Sequence, residues 1–284
     1  FRYFSNSVSL PNVVRQDINY YIDKLSEIPY LGDAARPYVD GQYSRFEEIR
    51  KKVDTGGLDL GELARIQTYF EIEGDGFKPN KLLFEPTGIV FGCPLSMAIV
   101  EKLNEMQDHV SQFFGERMPS PLKGCIFYKN NMGKSHITLV SYSHYTMSSS
   151  KICMPENEIR EAGKLLERYP PITVFLRGLQ IMSDGCIVAK AFVYDDTIFR
   201  IRKKLVQTFP NVRQLVAPIV YVNLGRLIDT NISKEKVAEF NQQYGDVYIG
   251  AQQFVEAVAY DGQRLPLWNL DFSHYYNPAR TIEA

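Results

Sequence analysis

The sequence lacks most features that announce a function. It has only four cysteines in 284 residues, Cys93, Cys125, Cys153 and Cys186, with no C-x-x-C pair and no histidine at zinc-ligand spacing. A zinc site and a disulfide-stapled scaffold are both disfavoured by that spacing. The expected state is four reduced thiols, three of them in apolar runs where cysteine behaves as a small buried hydrophobe, and unpaired thiols favour an intracellular setting. No apolar run approaches the ~20 residues that cross a bilayer, so no membrane span is expected. Neither sign of charge dominates, since 32 Lys+Arg against 33 Asp+Glu leave a net charge of −1. That balance disfavours a broad basic footprint on a nucleic-acid backbone, and any such contact must be local. Also missing are a glycine-rich phosphate loop, a paired-carboxylate signature, an H-E-x-x-H zinc motif and a G-x-S-x-G elbow, so no metal or cofactor is expected. The chain starts at Phe1 rather than Met, which reads as a trimmed product without a recognisable targeting segment.

What is present is ordinary globular material. With 45% hydrophobic and 23% charged residues, the chain can bury a core and should form one large domain or two modest ones. The first seventy residues read as helical. Val13, Val14, Ile18, Tyr21, Ile22 and Leu25 follow the 3.6-residue period, a second helix is expected over Ser44–Val53, and a third over Leu58–Phe70. Beyond Glu71 strands and helices mix. A strand is expected over Leu82–Gly92, and an amphipathic helix over Leu95–Phe114 with Ile99, Leu103, Met106, Val110 and Phe113 on one face. Strands follow over Cys125–Lys129 and His136–Ser143, then a helix over Glu156–Arg168. Thr173–Met182 and Cys186–Tyr194 form a hairpin across Ser183-Asp184-Gly185. Next come a helix started by Asp195 or Asp196 and running to Phe209, a strand over Pro218–Ile228, a helix over Ser233–Tyr244 capped by Ser233, and a last strand over Phe254–Tyr260. The order helix, strand, strand occurs twice, which favours an α+β fold of two similar lobes.

The sharpest chemical signal is Ser135-His136-Ile137-Thr138-Leu139-Val140 on a predicted strand. Side chains alternate along a strand, so His136 and Thr138 share one face and Ile137 and Leu139 the other. An imidazole beside a hydroxyl can hold a phosphate oxygen and move a proton. Eighty-five residues on, Val220-Tyr221-Val222-Asn223-Leu224 occupies the corresponding strand of the second lobe. Tyr142 and Tyr145, with Tyr128 nearby, offer rings on which a base can stack. Arg200, Arg202, Lys203 and Lys204 form a basic run on the preceding helix, read first as a solvated face and second as a phosphate-attracting patch. His109, His144 and His274 are read as solvated or loop residues.

In this layout the sequence resembles the 2H phosphoesterase superfamily, the fold of bacterial RNA 2′,5′ ligase-like proteins and cyclic nucleotide phosphodiesterases. The resemblance covers about Phe77 to Ile228. It rests on the intact His136-Ile137-Thr138-Leu139, the central hairpin, and Leu224-Gly225-Arg226-Leu227 after the second motif. It implies an α+β fold with two pseudo-symmetric lobes of antiparallel sheet and flanking helices around a central groove, residues 73–284, preceded by an N-terminal helical extension, residues 1–72. It also implies a metal-independent reaction on a cyclic phosphate or phosphodiester of a nucleotide or RNA end, with His136 as base and Thr138 as phosphate donor. Aligned in this way, Tyr221 stands where a second histidine belongs and Asn223 where a second threonine belongs. Tyr221 can donate a proton but, with an ordinary pKa near ~10, is a poor base at neutral pH. Asn223 can donate through its amide, and Arg226 and Tyr142 complete the ligand-binding set. Losing one acid–base partner costs about 10²–10⁴ in rate. Two readings therefore stand: a divergent phosphoesterase with weak or lost activity, and a non-catalytic protein of the same fold that binds a nucleotide or serves a larger assembly. In the second, the N-terminal helices and the tail around Trp268 and Tyr275-Tyr276 supply protein contacts.

Overall fold

In a computed structural model of the chain, the structure describes residues 32–264 and 270–276, apart from 68–69, 74–75, 80–86, 116–126, 143–155, 210–211, 214–218, 229–230 and 255–257. Two five-stranded antiparallel sheets carry the fold, as the α+β reading requires. The first-lobe sheet contains β3 (Thr87–Pro94), β5 (His136–Tyr142), β8 (Val212–Arg213), β11 (Val258–Arg264) and β12 (Leu270–Tyr276), in the order β12-β11-β3-β5-β8. The second-lobe sheet contains β4 (Phe127–Lys129), β6 (Ile172–Ile181), β7 (Cys186–Val193), β9 (Val220–Leu227) and β10 (Tyr248–Phe254), in the order β10-β6-β7-β9-β4. A small hairpin of β1 (Phe70–Glu73) and β2 (Gly76–Pro79) stands apart.

The edge strands are exchanged between lobes. β4 comes just before β5 in the chain yet pairs with β9, whereas β8 comes just before β9 yet pairs with β5. Each sheet is thus closed by a strand from the other half of the sequence, and neither lobe is complete alone.

Among the described residues six helices pack around the sheets: α1 (Gly32–Gly56), α2 (Leu60–Gln67), α3 (Met97–Phe114), α4 (Glu156–Leu166), α5 (Thr197–Thr208) and α6 (Lys234–Tyr244). α3 buries Ile99, Leu103, Met106 and Val110 of the predicted stripe, leaves Phe113 half-buried against the core, and ends at Gly115, whose φ of 74° is cheap only for glycine. α6 starts at Ser233, whose hydroxyl accepts from the Lys236 N–H at 3.2 Å. At α5 it is Asp195 that accepts, from the Thr197 N–H at 2.8 Å. Among the described residues no helix is long and apolar enough to cross a membrane.

Four expectations need correction. The third helix stops at Gln67, and Phe70 begins a strand instead. The second is longer than Ser44–Val53 and spans Gly32–Gly56. The last predicted strand, Phe254–Tyr260, covers the end of β10 and the start of β11, because it joins two apolar ends across their connection. The tail then carries a further strand, β12, where no strand was expected. The predicted helix around Val13–Leu25 and the residues His144, Tyr145 and Trp268 lie outside the described residues.

β6 and β7 are buried along almost their whole lengths on both faces. One face, with Val174, Leu176, Ala189, Ala191 and Val222, joins the main core shared with α3, α5 and α6. The other carries Phe175 and Phe192, stacked at 5.1 Å, and is covered by Val39 and Phe46 of α1. Burying a phenylalanine such as Phe46 contributes roughly 2–3 kcal/mol, so α1 is a brace on the second sheet. It is further held by Gln42, which donates to the Val193 carbonyl, and by Asp54, which accepts from Asn241 at 2.8 Å.

Candidate functional site

β5 and β9, the strands carrying the two motifs, run beside each other without pairing, one from each sheet. Two buried polar side chains in matching places grip the motif strands, and Arg202 reaches both. From α3, Gln107 donates to the carbonyls of Asn130 at 2.8 Å and Leu224 at 2.7 Å. From α5, Arg202 donates to the carbonyls of Thr138 at 2.9 Å, Leu139 at 3.1 Å and Ile219 at 3.1 Å. Each helix leads into one lobe's motif strand and grips the backbone of the other's. Leu224 and Leu139 are the equivalent leucines of the two motifs, so the grip follows the pseudo-symmetry.

This corrects the reading of the basic run. Arg200, Lys203 and Lys204 are exposed, but Arg202 is buried and belongs to the framework. Its guanidinium pKa falls to about 10 because burial penalises the charged form, with Tyr221 and Cys93 pulling the other way. It remains charged at neutral pH.

On β5, His136 and Thr138 are half-buried while Ile137 and Leu139 are in the core, as alternation demands. Gly92 on β3 pairs with Thr138 and lies under the imidazole, since a Cβ at Gly92 would stand 2.5 Å from His136 Cδ2. Sequence reasoning passed over this glycine, because nothing in its own neighbourhood says that a ring will rest on it. Gly92→Ala is expected to push the His136 ring out of place while leaving β3 paired. Ring-proton chemical shifts and the titration midpoint of His136 by NMR would change, and an unchanged pair of values would reject the contact.

On β9, Tyr221 pairs with Lys190 and Asn223 with Val188, so Tyr221, Asn223, Lys190 and Phe192 share the sheet face on which α1 lies. Tyr221 is 37% exposed, at the uncovered side of that face. The phenol is pushed up to about 12, first by burial and then by the Cys186 thiol. Arg202 acts in the lowering direction, Asp184 in the raising one. Asn223 uses its Oδ1 to accept the Gly225 N–H at 2.9 Å, which leaves Nδ2 as its donor to a ligand.

Arg226 is buried and donates to the Asp184 carbonyl at 2.7 Å and to Asp184 Oδ2 at 3.0 Å, fixing the β6–β7 turn. The Tyr142 backbone ends β5, paired with Ile89 and Val212. Tyr128 packs edge-on against Phe70 at 5.2 Å. His109 lies on α3 with its ring 6.3 Å from Tyr244, and His274 lies on β12 opposite Asp261. Cys93 and Cys186 are buried thiols, and burial pushes Cys186 up to about 12. Among the described residues no group of three His, Cys, Asp or Glu side chains converges as a metal site.

The lobes and the two motif strands define a two-lobed α+β protein. No known family and no curated protein matches the sequence. Among solved structures, the chain is similar to E. coli LigT complexed with NADP+, with a TM-score of 0.39 and 12% identity over 63% of this chain and 89% of that one. It is similar to LigT in apo form at a TM-score of 0.39 and 13% identity, over 64% of this chain and 91% of that one. A conserved protein of unknown function from Agrobacterium tumefaciens matches at a TM-score of 0.38 and 12% identity, over 68% of this chain and 84% of that one.

Proposed function

We propose that this chain is a nucleotide-binding protein of the two-lobed type in which phosphoesterase turnover has been lost. His136 and Thr138 hold the phosphate of a nucleotide or RNA terminus, helped by the Asn223 amide nitrogen. The observation that carries the reading is the state of the second motif. A phenol pushed up to about 12 stands in the place of a proton-transfer group. Tyr221 therefore stays protonated at neutral pH, unable to act as a base and weaker than usual as an acid. The Asn223 Oδ1 is already committed to Gly225. One half of the machinery is thus kept for binding.

The test is a titration with a 2′,3′-cyclic nucleotide alongside a product assay. Binding is expected without product above background, and His136→Ala is expected to weaken it about tenfold or more, the loss of one hydrogen bond to a charged group. The second reading, a slow phosphoesterase, is favoured by the intact His136-Ile137-Thr138-Leu139. It predicts product formation that His136→Ala abolishes, and that result would displace the first reading. No binding by the parent protein would dismiss both.

A further inference from the structure

The α1-covered face holds one polar group that the packing does not explain. Gln180 on β6 is 1% exposed, and among the described residues neither its Oε1 nor its Nε2 has a hydrogen-bond partner. Buried amides are normally satisfied, and an orphaned one calls for a water, an ion or a ligand. Its position is informative. Gln180 pairs with Val188, which pairs with Asn223, so the three lie in one row on one face across β6, β7 and β9. Two strand spacings put the Gln180 and Asn223 backbones about 10 Å apart. That is comparable to the reach of a nucleotide from its phosphate to the far edge of its base.

The surroundings on this face are aromatic as well as polar. Phe175 and Phe192 are on it, with Phe46 and Tyr43 of α1 above, their rings 5.8 Å and 6.4 Å from Phe192. The face reaches solvent at Tyr221. A glutamine amide presents a donor and an acceptor side by side, the complement of a base edge carrying an acceptor and a donor, as adenine does.

We infer that Gln180 reads the edge of a nucleobase that slides under α1 from the Tyr221 side, while the ligand's phosphate rests at His136, Thr138 and Asn223. This rests on the nucleotide-binding reading above and names the part of the ligand that gives it selectivity. Seating a ring there lifts α1 from the sheet, so base binding and α1 packing are linked.

The experiment compares adenosine 2′,3′-cyclic monophosphate with inorganic phosphate as probes, on the full chain and on Gln180→Met and Gln180→Leu. The parent is expected to bind the nucleotide at least tenfold more tightly than phosphate. Both variants are expected to lose that preference, keep the phosphate affinity and melt no lower than the parent, because they remove an orphaned amide without opening a cavity. If either folded variant keeps the parent's preference, the inference is wrong and water serves the amide. If the parent binds phosphate and prefers no nucleotide, base reading fails while phosphate binding survives. If the parent binds neither probe, both readings fall together.

Discussion

Arg202→Met should destabilise the protein by about 2–4 kcal/mol, the cost of leaving several buried carbonyls without their donor. The carbonyls of Thr138, Leu139 and Ile219 would each lose a charge-assisted donor, and an unsatisfied buried acceptor costs roughly 1–3 kcal/mol. Relaxation of the strands would recover part of that sum. Urea unfolding at constant slope measures the loss. Arg202→Lys should recover little, because one compact ammonium cannot serve three carbonyls spread over two strands. Hydrogen exchange should quicken on both β5 and β9, since the guanidinium joins the lobes. A loss under 1 kcal/mol, or faster exchange confined to α5, would show that the seam holds without it.

The second large effect belongs to Lys190, and it appears as a pH dependence. This side chain is 4% exposed, donates to the Gly245 carbonyl at 2.6 Å, and lies 5.8 Å from the Tyr43 ring and 6.0 Å from the Phe46 ring. Its stem passes over Gly178, where a Cβ would stand 2.6 Å from Lys190 Cε and 1.9 Å from the Gly245 oxygen. Burial lowers the ammonium to about 8, against the upward pull of Glu47 and Asp246 and with the downward push of Arg50 and Arg177. The folded chain gives up this proton from about pH 8, whereas the unfolded chain keeps it to about 10.4. The unfolded state binds more protons in that window, so stability rises with pH there, by about 2 kcal/mol between pH 8 and pH 10. Above pH 10 the raised phenols of Tyr43 and Tyr221 subtract stability while the lowered Arg202 adds it, which ends the clean window. In Lys190→Met the rise should vanish, and chemical denaturation at pH 7.5, 8.5 and 9.5 shows it. A parallel rise in parent and variant would assign the effect to other groups.

Where the signal is local, sequence and structure agree closely. The stripe of α3, the Ser233 cap of α6, the turn between β6 and β7 and the alternation that sets His136 and Thr138 apart from Ile137 and Leu139 all depend on residues within a few positions of one another. Phe70 reads as helix from the sequence because apolar residues at the end of a short helix look the same when they start a strand. The ends of β10 and β11 read as one strand because their apolar residues adjoin. Arg202 looked like part of a solvated run because charge is what the sequence displays there. Its acceptors are backbone carbonyls 63 and 17 residues away along the chain.

By itself the sequence determined the class of fold, the two repeated halves, and a histidine and a threonine on one face of a strand, because hydrophobic period and turn chemistry are short-range properties. Only the tertiary structure decided that β4 and β8 cross to the opposite sheets, that Gln107 holds β9 while Arg202 joins β5 to the start of β9, that Arg226 belongs to a turn, and that α1 lies over the face carrying Tyr221, Asn223 and Gln180. The physical reason is that β6 and β7 are buried on both sides. A strand of that kind tells that both faces must be covered, but any helix with an apolar stripe would satisfy it, and only packing selects α1.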